Sequence, residues 1–192
     1  MALTLLKKNN KNLLTTKDIS QLKGIDIKRT LENHTKRLIE TKVLTPLEKG
    51  KYMITDSDVS DFEIANFLYS PSYISFETAL NYHGILGQFP FEIISSTTKK
   101  SNKKEILGKT YRYTKINKKM YTGYYKSGNS LIAYPEKALF DQLYMIALKK
   151  KGEGYLNEMD YSKIRKKDIE QYLPLISSRV AREIKYLISK YL

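Results

Sequence analysis

Hydrophobic residues recur at helical spacing near the start of the chain. Ile19 and Leu22 fall on one side of a short helix. Thr15 and Asp18 have the spacing of a capping box, in which each side chain satisfies a backbone N–H of the first turn, so the helix is expected to begin there. Gly24 supplies the turn that ends it.

A longer amphipathic helix is predicted from an Asp26 cap to about Thr41, and a short apolar helix is expected over residues 2–8. In the longer helix, His34 or Thr35 fills a gap in the apolar stripe. The other stripe positions are Ile27, Leu31, Leu38 and Ile39. The opposite face is polar and basic, so one side is expected to pack on a core while the other faces solvent.

Two short apolar runs then predict a β-hairpin. Residues 43–45 and 51–54 are its expected strands, and residues 46–50 are its expected turn. Helices followed by a hairpin form the element order of a winged helix-turn-helix. The sequence therefore predicts a winged helix-turn-helix DNA-binding domain over residues 1–56.

The rest of the chain mixes helical and strand patterns. Residues 57–72 are expected to be a helical linker that ends at Pro71, and residues 73–192 a mixed α+β domain in which Ser75 caps the first helix. The expected helices cover residues 76–82, 135–149 and the end of the chain from about 178. The expected strands cover residues 89–96, 109–116, 123–125 and 130–133, with a polar loop over 97–104.

Charge is unevenly distributed over the 192 residues, which include 34 Lys or Arg and 20 Asp or Glu, a net charge of +14. The net charge is +6 over residues 1–56, −5 over 57–98, +9 over 99–126 and +4 over 127–192, and residues 57–98 contain no basic residue. Compositional bias alone would scatter lysines evenly. The distribution therefore indicates two separate basic regions and an anionic partner.

Arg29, Asn33 and Arg37 are spaced at i, i+4 and i+8 on the longer helix, opposite its apolar stripe. Arg can bridge two acceptors of guanine and Asn can bridge adenine in a major groove that admits a helix. Lys at the tip of a hairpin can meet phosphate. The candidate DNA-binding residues are Lys28, Arg29, Thr30, Asn33, Lys36, Arg37, Lys49 and Lys51.

The sequence contains no enzyme signature. It has no Cys and only two His, which excludes disulfides and cysteine zinc sites and argues against a histidine-rich metal site. No glycine-rich phosphate loop is present. His83 with Tyr82 and Glu77 could form an acid–base group, but without a nucleophile a local packing role for His83 is favoured. We therefore expect a non-catalytic binding protein with no metal and no cofactor.

Targeting signals are also missing from the sequence. The N-terminal segment has neither the pattern of a secretory signal nor the apolar length of a membrane span, and no later stretch has that length. A cytoplasmic protein is expected.

Four motifs, in order, resemble those of AbiEi-type antitoxins, the antitoxin half of type IV toxin–antitoxin (abortive infection) systems. The first is YISFETALNYHGI over residues 73–85. The others are TTKK over residues 97–100 after a strand, LGKTY over 107–111 at a strand entry, and AYPEKALFD over 133–141 at the start of a helix. The resemblance spans nearly the whole chain.

The resemblance implies a bifunctional protein without catalytic activity. Its winged helix would bind inverted repeats in its own promoter and repress the operon. Inverted repeats in double-stranded DNA need two copies of the protein but not a stable dimer in solution, so a monomer or weak dimer that pairs on DNA is expected and the oligomeric state stays open. Its C-terminal domain would neutralise a partner toxin of the nucleotidyltransferase type.

A second basic surface is expected in the middle of the chain, and its role stays open between three readings. It could follow a phosphate backbone while nearby tyrosines stack on bases, it could be a solvated loop beside structural tyrosines, or it could face an acidic toxin or flanking DNA. Its residues are Lys99, Lys100, Lys103, Lys104, Lys109, Arg112 and Lys115, and the tyrosines are Tyr111, Tyr113, Tyr121, Tyr124 and Tyr125. The alternative function is accordingly an RNA-binding module that uses these strands, with the winged helix as an interaction domain.

Overall fold

The computed structural model describes residues 11–192, so the helix expected over residues 2–8 lies outside the described residues. The chain divides into two compact units, residues 1–68 and residues 69–192. The described residues contain seven α-helices and two sheets, which confirms the mixed α+β class. No helix within this part of the chain is both long and apolar enough to cross a membrane.

In the first unit, a short strand and two helices precede a hairpin and a third helix. The elements are β1 (Leu13–Thr15), α1 (Thr16–Lys23), α2 (Lys28–Glu40), β2 (Leu44–Glu48), β3 (Lys51–Ile54) and α3 (Asp61–Leu68). The three strands form an antiparallel sheet in the order β1-β3-β2. The sequence pattern did not predict β1, and the hairpin turn is shorter than expected because β2 continues to Glu48.

The start of α1 confirms the predicted capping box. Thr15 Oγ1 accepts a hydrogen bond from the Asp18 N–H at 3.2 Å, and the Asp18 carboxylate accepts from the Thr15 N–H at 2.7 Å. Gly24 ends the helix with a left-handed φ of 60°.

The start of α2 corrects two expectations. The helix begins at Lys28 with Ile27 as its cap residue, so Asp26 lies too early in the chain to cap it. Ile27 has the spacing of the apolar stripe, but its backbone is extended before the first helical turn, so its side chain does not join the buried face and is 70% exposed. The buried core of this unit consists of Leu14, Ile19, Leu31, Leu38, Leu44 and Ile54.

The second unit is built on a six-stranded mixed sheet with helices packed against it. Its elements are β4 (Ser72–Ile74), α4 (Phe76–Tyr82), β5 (Glu92–Thr97), β6 (Asn102–Ile106), β7 (Lys109–Lys115), β8 (Tyr124–Ser127), β9 (Ser130–Ala133), α5 (Pro135–Ala147), α6 (Lys166–Glu170) and α7 (Ser178–Tyr191). The strand order is β6-β7-β5-β4-β9-β8. The pairs β5–β7 and β4–β9 are parallel, and the other neighbours are antiparallel.

Two expected boundaries in this unit are wrong. The predicted loop over residues 97–104 ends early, because β6 begins at Asn102 and pairs with β7 at the edge of the sheet. The strand predicted from Phe89 begins only at Glu92, which leaves Phe89 and Phe91 in an exposed loop. The predicted helix over residues 76–82 and the predicted strand around 109–116 are confirmed.

Candidate nucleic-acid interface

The solvent face of α2 carries the candidate DNA-binding side chains that the sequence placed there. Leu31, Thr35 and Leu38 are buried on the opposite face, so the amphipathic prediction is confirmed. All six candidates on this helix are exposed: Lys28, Arg29, Thr30, Asn33, Lys36 and Arg37.

The charged residues of α2 differ in what they contact. Lys28 lies 4.0 Å from Glu32, and Lys36 lies 3.8 Å from Glu40, each one helical turn away. The side chains of Arg29, Asn33 and Arg37, which we call the recognition stripe, make no hydrogen bond or ion pair with any residue in the described range 11–192. Their donors are therefore available to a ligand.

The hairpin presents its two candidate lysines differently. Lys49 is exposed in the turn between β2 and β3. Lys51 instead forms an ion pair with Glu48 at 3.0 Å, donates to the Leu68 carbonyl at 2.5 Å and lies over the Phe67 ring at 5.5 Å. A DNA contact by Lys51 would compete with these interactions, so Lys49 is the more accessible hairpin cation.

The second basic surface is divided between the two faces of β6 and β7. Lys103 is directly opposite Arg112, so these two side chains lie on one face of the sheet. Lys104 is opposite Tyr111 and lies on the other face. Because side chains alternate along β7, Lys109 and Lys115 lie on the same face as Tyr111. Lys99 and Lys100 are exposed in the turn before β6. The seven residues therefore do not form one continuous surface on this sheet.

Carboxylates neutralise part of that surface. Lys103 pairs with Glu105 at 2.9 Å. Arg112 donates two hydrogen bonds to Glu92, one through Nη2 at 2.7 Å and one through Nε. The hydrogen bonding to Arg112 lowers the pKa of Glu92, and the same contact raises the pKa of Arg112.

The tyrosines near this surface have mainly packing roles. Tyr111 and Tyr113 are each 1% exposed, so neither ring can stack on a base in this fold. The Tyr69 ring packs on the Tyr113 ring, with 4.9 Å between their centroids. The ammonium groups of Lys99 and Lys104 lie 5.4 and 5.5 Å from the centroid of the Tyr69 ring. Tyr121, Tyr124 and Tyr125 are partly buried.

A buried polar network lies at the centre of the second unit, and sequence reasoning did not place these side chains together. Oδ2 of Asp141 accepts hydrogen bonds from the hydroxyls of Tyr73, Ser75 and Ser96 at 2.8, 2.8 and 2.9 Å, and Oδ1 pairs with Lys137. Ser75 was expected to cap α4, but its hydroxyl is used by Asp141 and forms no cap bond. The i, i+4 spacing of Lys137 and Asp141 was the one local signal.

The surroundings shift the pKa of two members of the network, Tyr73 and Lys137. Burial and the adjacent Asp141 carboxylate raise the pKa of Tyr73 well above its ordinary value. Burial lowers the pKa of Lys137, against the attraction of Asp141. The rings of Tyr73, Phe140 and Tyr172 surround the Lys137 ammonium at 5.4 to 5.7 Å. A reactant cannot reach these groups without opening the core.

The alternative acid–base group around His83 has other partners. His83 Nε2 is 2.8 Å from the carbonyl oxygen of Ala133. Glu77 pairs with Lys151, whose Nζ is 2.6 Å from Glu77 Oε1, and accepts from Gln142 at 3.1 Å. Burial lowers the pKa of Lys151. The side chains of His83 and Glu77 thus both contact other groups of the second unit.

We also searched for a metal site among the described residues and for related proteins. Among residues 11–192, no cluster of three or more His, Asp or Glu side chains is placed to hold a metal ion. No protein-family model matches the sequence, and no curated protein is significantly similar to it.

Proposed function

We propose that the protein is the antitoxin of a type IV toxin–antitoxin system and that it represses its own operon by binding promoter DNA through α2. The DNA-binding part rests on the recognition stripe, whose three side chains are exposed on one helix face and have no hydrogen-bond or ion-pair partner among residues 11–192. The stripe extends about 12 Å along the helix, which corresponds to roughly three or four base pairs.

The first unit is proposed to be a winged helix-turn-helix. Its described elements run β1, α1, α2, β2 and β3, with α2 in the position of a recognition helix and the β2–β3 hairpin as the wing. In this arrangement Arg29, Asn33 and Arg37 read base edges, and Lys49 contacts phosphate.

The second unit is proposed to neutralise a nucleotidyltransferase-type toxin by binding or by a functional effect, without catalysing a reaction. The resemblance to AbiEi-type antitoxins supports this role. The burial of Lys137 and Asp141 supports the non-catalytic part of this proposal, because a substrate could not reach the polar cluster that these two residues form. The protein is proposed to work in the cytoplasm, without a cofactor.

Promoter binding measured by fluorescence anisotropy tests the DNA-binding part. Arg29→Ala is expected to lose sequence preference, whereas Lys49→Ala weakens binding to all sequences alike. Arg179→Ala, at an exposed arginine of α7, is the matched control and should change neither. If Arg29→Ala and Lys49→Ala reduce binding to specific and random DNA equally, the recognition-helix assignment is wrong.

Gene context and co-expression test the antitoxin part. A gene for a nucleotidyltransferase-like protein is expected immediately downstream, with an inverted repeat upstream of the pair. Co-expression of the protein should restore growth to cells that produce that downstream protein. Arg29→Ala should restore growth equally, because it affects only the DNA-binding unit. A gene with unrelated neighbours, or a failure to restore growth, would count against this function.

A further inference from the structure

Two phenylalanines project from the second unit in the loop between α4 and β5. The side chains of Phe89 and Phe91 are 85% and 103% exposed and flank Pro90. Large apolar side chains that project together from a surface are typical of an interaction site.

Hydrogen bonds on both sides hold this loop in place. The amide of Asn81 donates to the carbonyls of Leu86 and Gln88, each at 3.0 Å. Thr78 Oγ1 donates to the carbonyl of Glu92 at 3.1 Å and accepts from the N–H of Ile94 at 2.9 Å. The projecting rings are therefore presented by an anchored backbone, which lowers the entropy lost when they bind a partner.

An apolar pocket of about 320 Å³ adjoins the two rings. Its apolar lining comes from Leu86, Ile94, Tyr155 and the flanks of Phe89, Pro90 and Phe91. We call these six residues the phenylalanine patch. A projecting ring beside a pocket is self-complementary, since two copies related by a two-fold axis can each insert a ring into the other.

Charge favours a second copy as the occupant. Most of the chain is basic and repels another copy, but residues 57–98, which contain most of the patch, contain no Lys or Arg. The two carboxylates that line the pocket are neutralised within the unit, Glu77 by Lys151 and Glu92 by Arg112. The pocket lining of one copy therefore presents no unpaired charge to the other copy.

We propose that the phenylalanine patch is the surface through which two copies of the chain associate, with Phe91 of each copy entering the pocket of the other. The proposal does not depend on DNA binding, and its tests contain no DNA. Its failure would leave the proposed repressor function untouched, and loss of promoter binding would leave self-association untouched.

Sedimentation of the full chain is the first test. Between about 1 and about 100 μM, the wild-type protein is expected to shift from monomer to dimer. The variant with Phe89→Ser and Phe91→Ser should raise the dissociation constant at least about tenfold. Tyr186→Ser, at a 60% exposed tyrosine of α7, is the matched control and should leave it unchanged. Circular dichroism verifies that both variants fold.

Two outcomes of sedimentation would overturn the proposal. The first is a protein that stays monomeric throughout the range, which would leave the patch to a different protein. The second is a dimer that the double variant does not weaken, because the contact would then lie on another surface.

Fluorescence provides an independent test, since the chain contains no tryptophan. Phe91→Trp should retain dimer formation, and its emission should move to shorter wavelength as the concentration rises and the ring becomes buried. Tyr186→Trp should show no such change. An unchanged Phe91→Trp spectrum in solutions where sedimentation detects dimers would overturn the proposed contact.

Discussion

Lys137 and Asp141 form an ion pair one helical turn apart on α5, and both side chains are completely removed from solvent. Three hydroxyl groups and three aromatic rings complete their surroundings. Charges that are buried in this way need their partners, because removing one partner leaves the other charge uncompensated in a medium that solvates it poorly.

Lys137→Met is therefore expected to lower the free energy of unfolding by about 3–5 kcal/mol. The methionine keeps much of the apolar stem, so the loss reports the uncompensated Asp141 carboxylate. Chemical denaturation followed by circular dichroism measures it. The matched control is Lys36→Met, since Lys36 and Glu40 have the same i, i+4 spacing on the exposed face of α2. Lys36→Met should lower the free energy of unfolding by at most about 0.5 kcal/mol. Similar losses in both variants would contradict a special role for burial.

Gly123→Ala tests the packing beside the same network. A Cβ atom at Gly123 would lie 2.6 Å from the Tyr172 hydroxyl and 2.8 Å from Lys137 Cγ, and the φ of Gly123 is +75°. Gly128 has a φ of +58° and open space around it, so Gly128→Ala carries only the backbone cost of about 1–2 kcal/mol. Gly123→Ala should lower the free energy of unfolding by about 1–3 kcal/mol more than Gly128→Ala does, because the buried neighbours of Gly123 must move. Equal melting temperatures for the two variants would contradict the close contact.

Alkaline pH is expected to destabilise the protein through its buried and half-buried tyrosines. Burial raises the pKa of Tyr161 and Tyr172 to about 12, and that of Tyr73 well above its ordinary 10.0. The folded protein therefore keeps protons that the unfolded chain releases, so this contribution is complete below pH 10.0 and is lost as the pH rises toward about 12. Burial lowers the pKa of Lys137 and Lys151, which works in the opposite direction but involves fewer groups.

Tyrosinate absorbance and circular dichroism, recorded together, measure this effect. Absorbance should rise in two stages, and the second stage should coincide with loss of the circular dichroism signal. A single rise near pH 10.0 with an intact signal would contradict the prediction.

Arg29→Lys separates charge from base recognition. Lysine keeps the positive charge but lacks the planar pair of donors that bridges two acceptors of guanine. Affinity for random DNA should stay nearly constant, while the discrimination against incorrect base pairs at one operator position falls by about 1–3 kcal/mol. Binding to operators substituted one base pair at a time measures the change. An unaltered operator preference would show that Arg29 contacts phosphate alone.

Charge reversal of the second basic surface separates the repressor from the RNA-binding alternative. The variant changes Lys99, Lys100, Lys103 and Lys104 to Glu. A repressor that reads DNA through α2 should keep its operator preference, although general affinity falls with the added negative charge. RNA binding by the central strands should be lost. Loss of operator preference, or strong binding of RNA by the wild-type protein that this variant abolishes, would support the alternative.

Local patterns predicted the parts of the fold that depend on neighbouring residues. The Thr15–Asp18 capping box and the two faces of α2 were predictable because their partners lie within one or two helical turns. In β7, strict alternation indicated a strand with Tyr111 and Tyr113 on one face. The same logic made the exposed face of α2 predictable as a candidate site.

Other parts depended on partners that are distant in sequence. The first three residues of β6, Asn102 to Lys104, are polar, as is common at sheet edges, and pairing with β7 rather than intrinsic preference makes them a strand. The hydroxyls that surround Asp141 come from 68, 66 and 45 residues away. The pairing of Lys51 with the Leu68 carbonyl likewise required the folded chain.

The arrangement around Asp141 has a consequence for how the second unit assembles. Its partners come from β4, the residue that follows β4, β5 and α5, so docking of β4 on β5 without α5 would bury the hydroxyls of Tyr73, Ser75 and Ser96 without the carboxylate that they share. Partly assembled states are penalised, and folding of this unit becomes all-or-none. Substitutions that weaken this network are therefore expected to lower the fraction of folded molecules rather than to loosen every molecule by degrees.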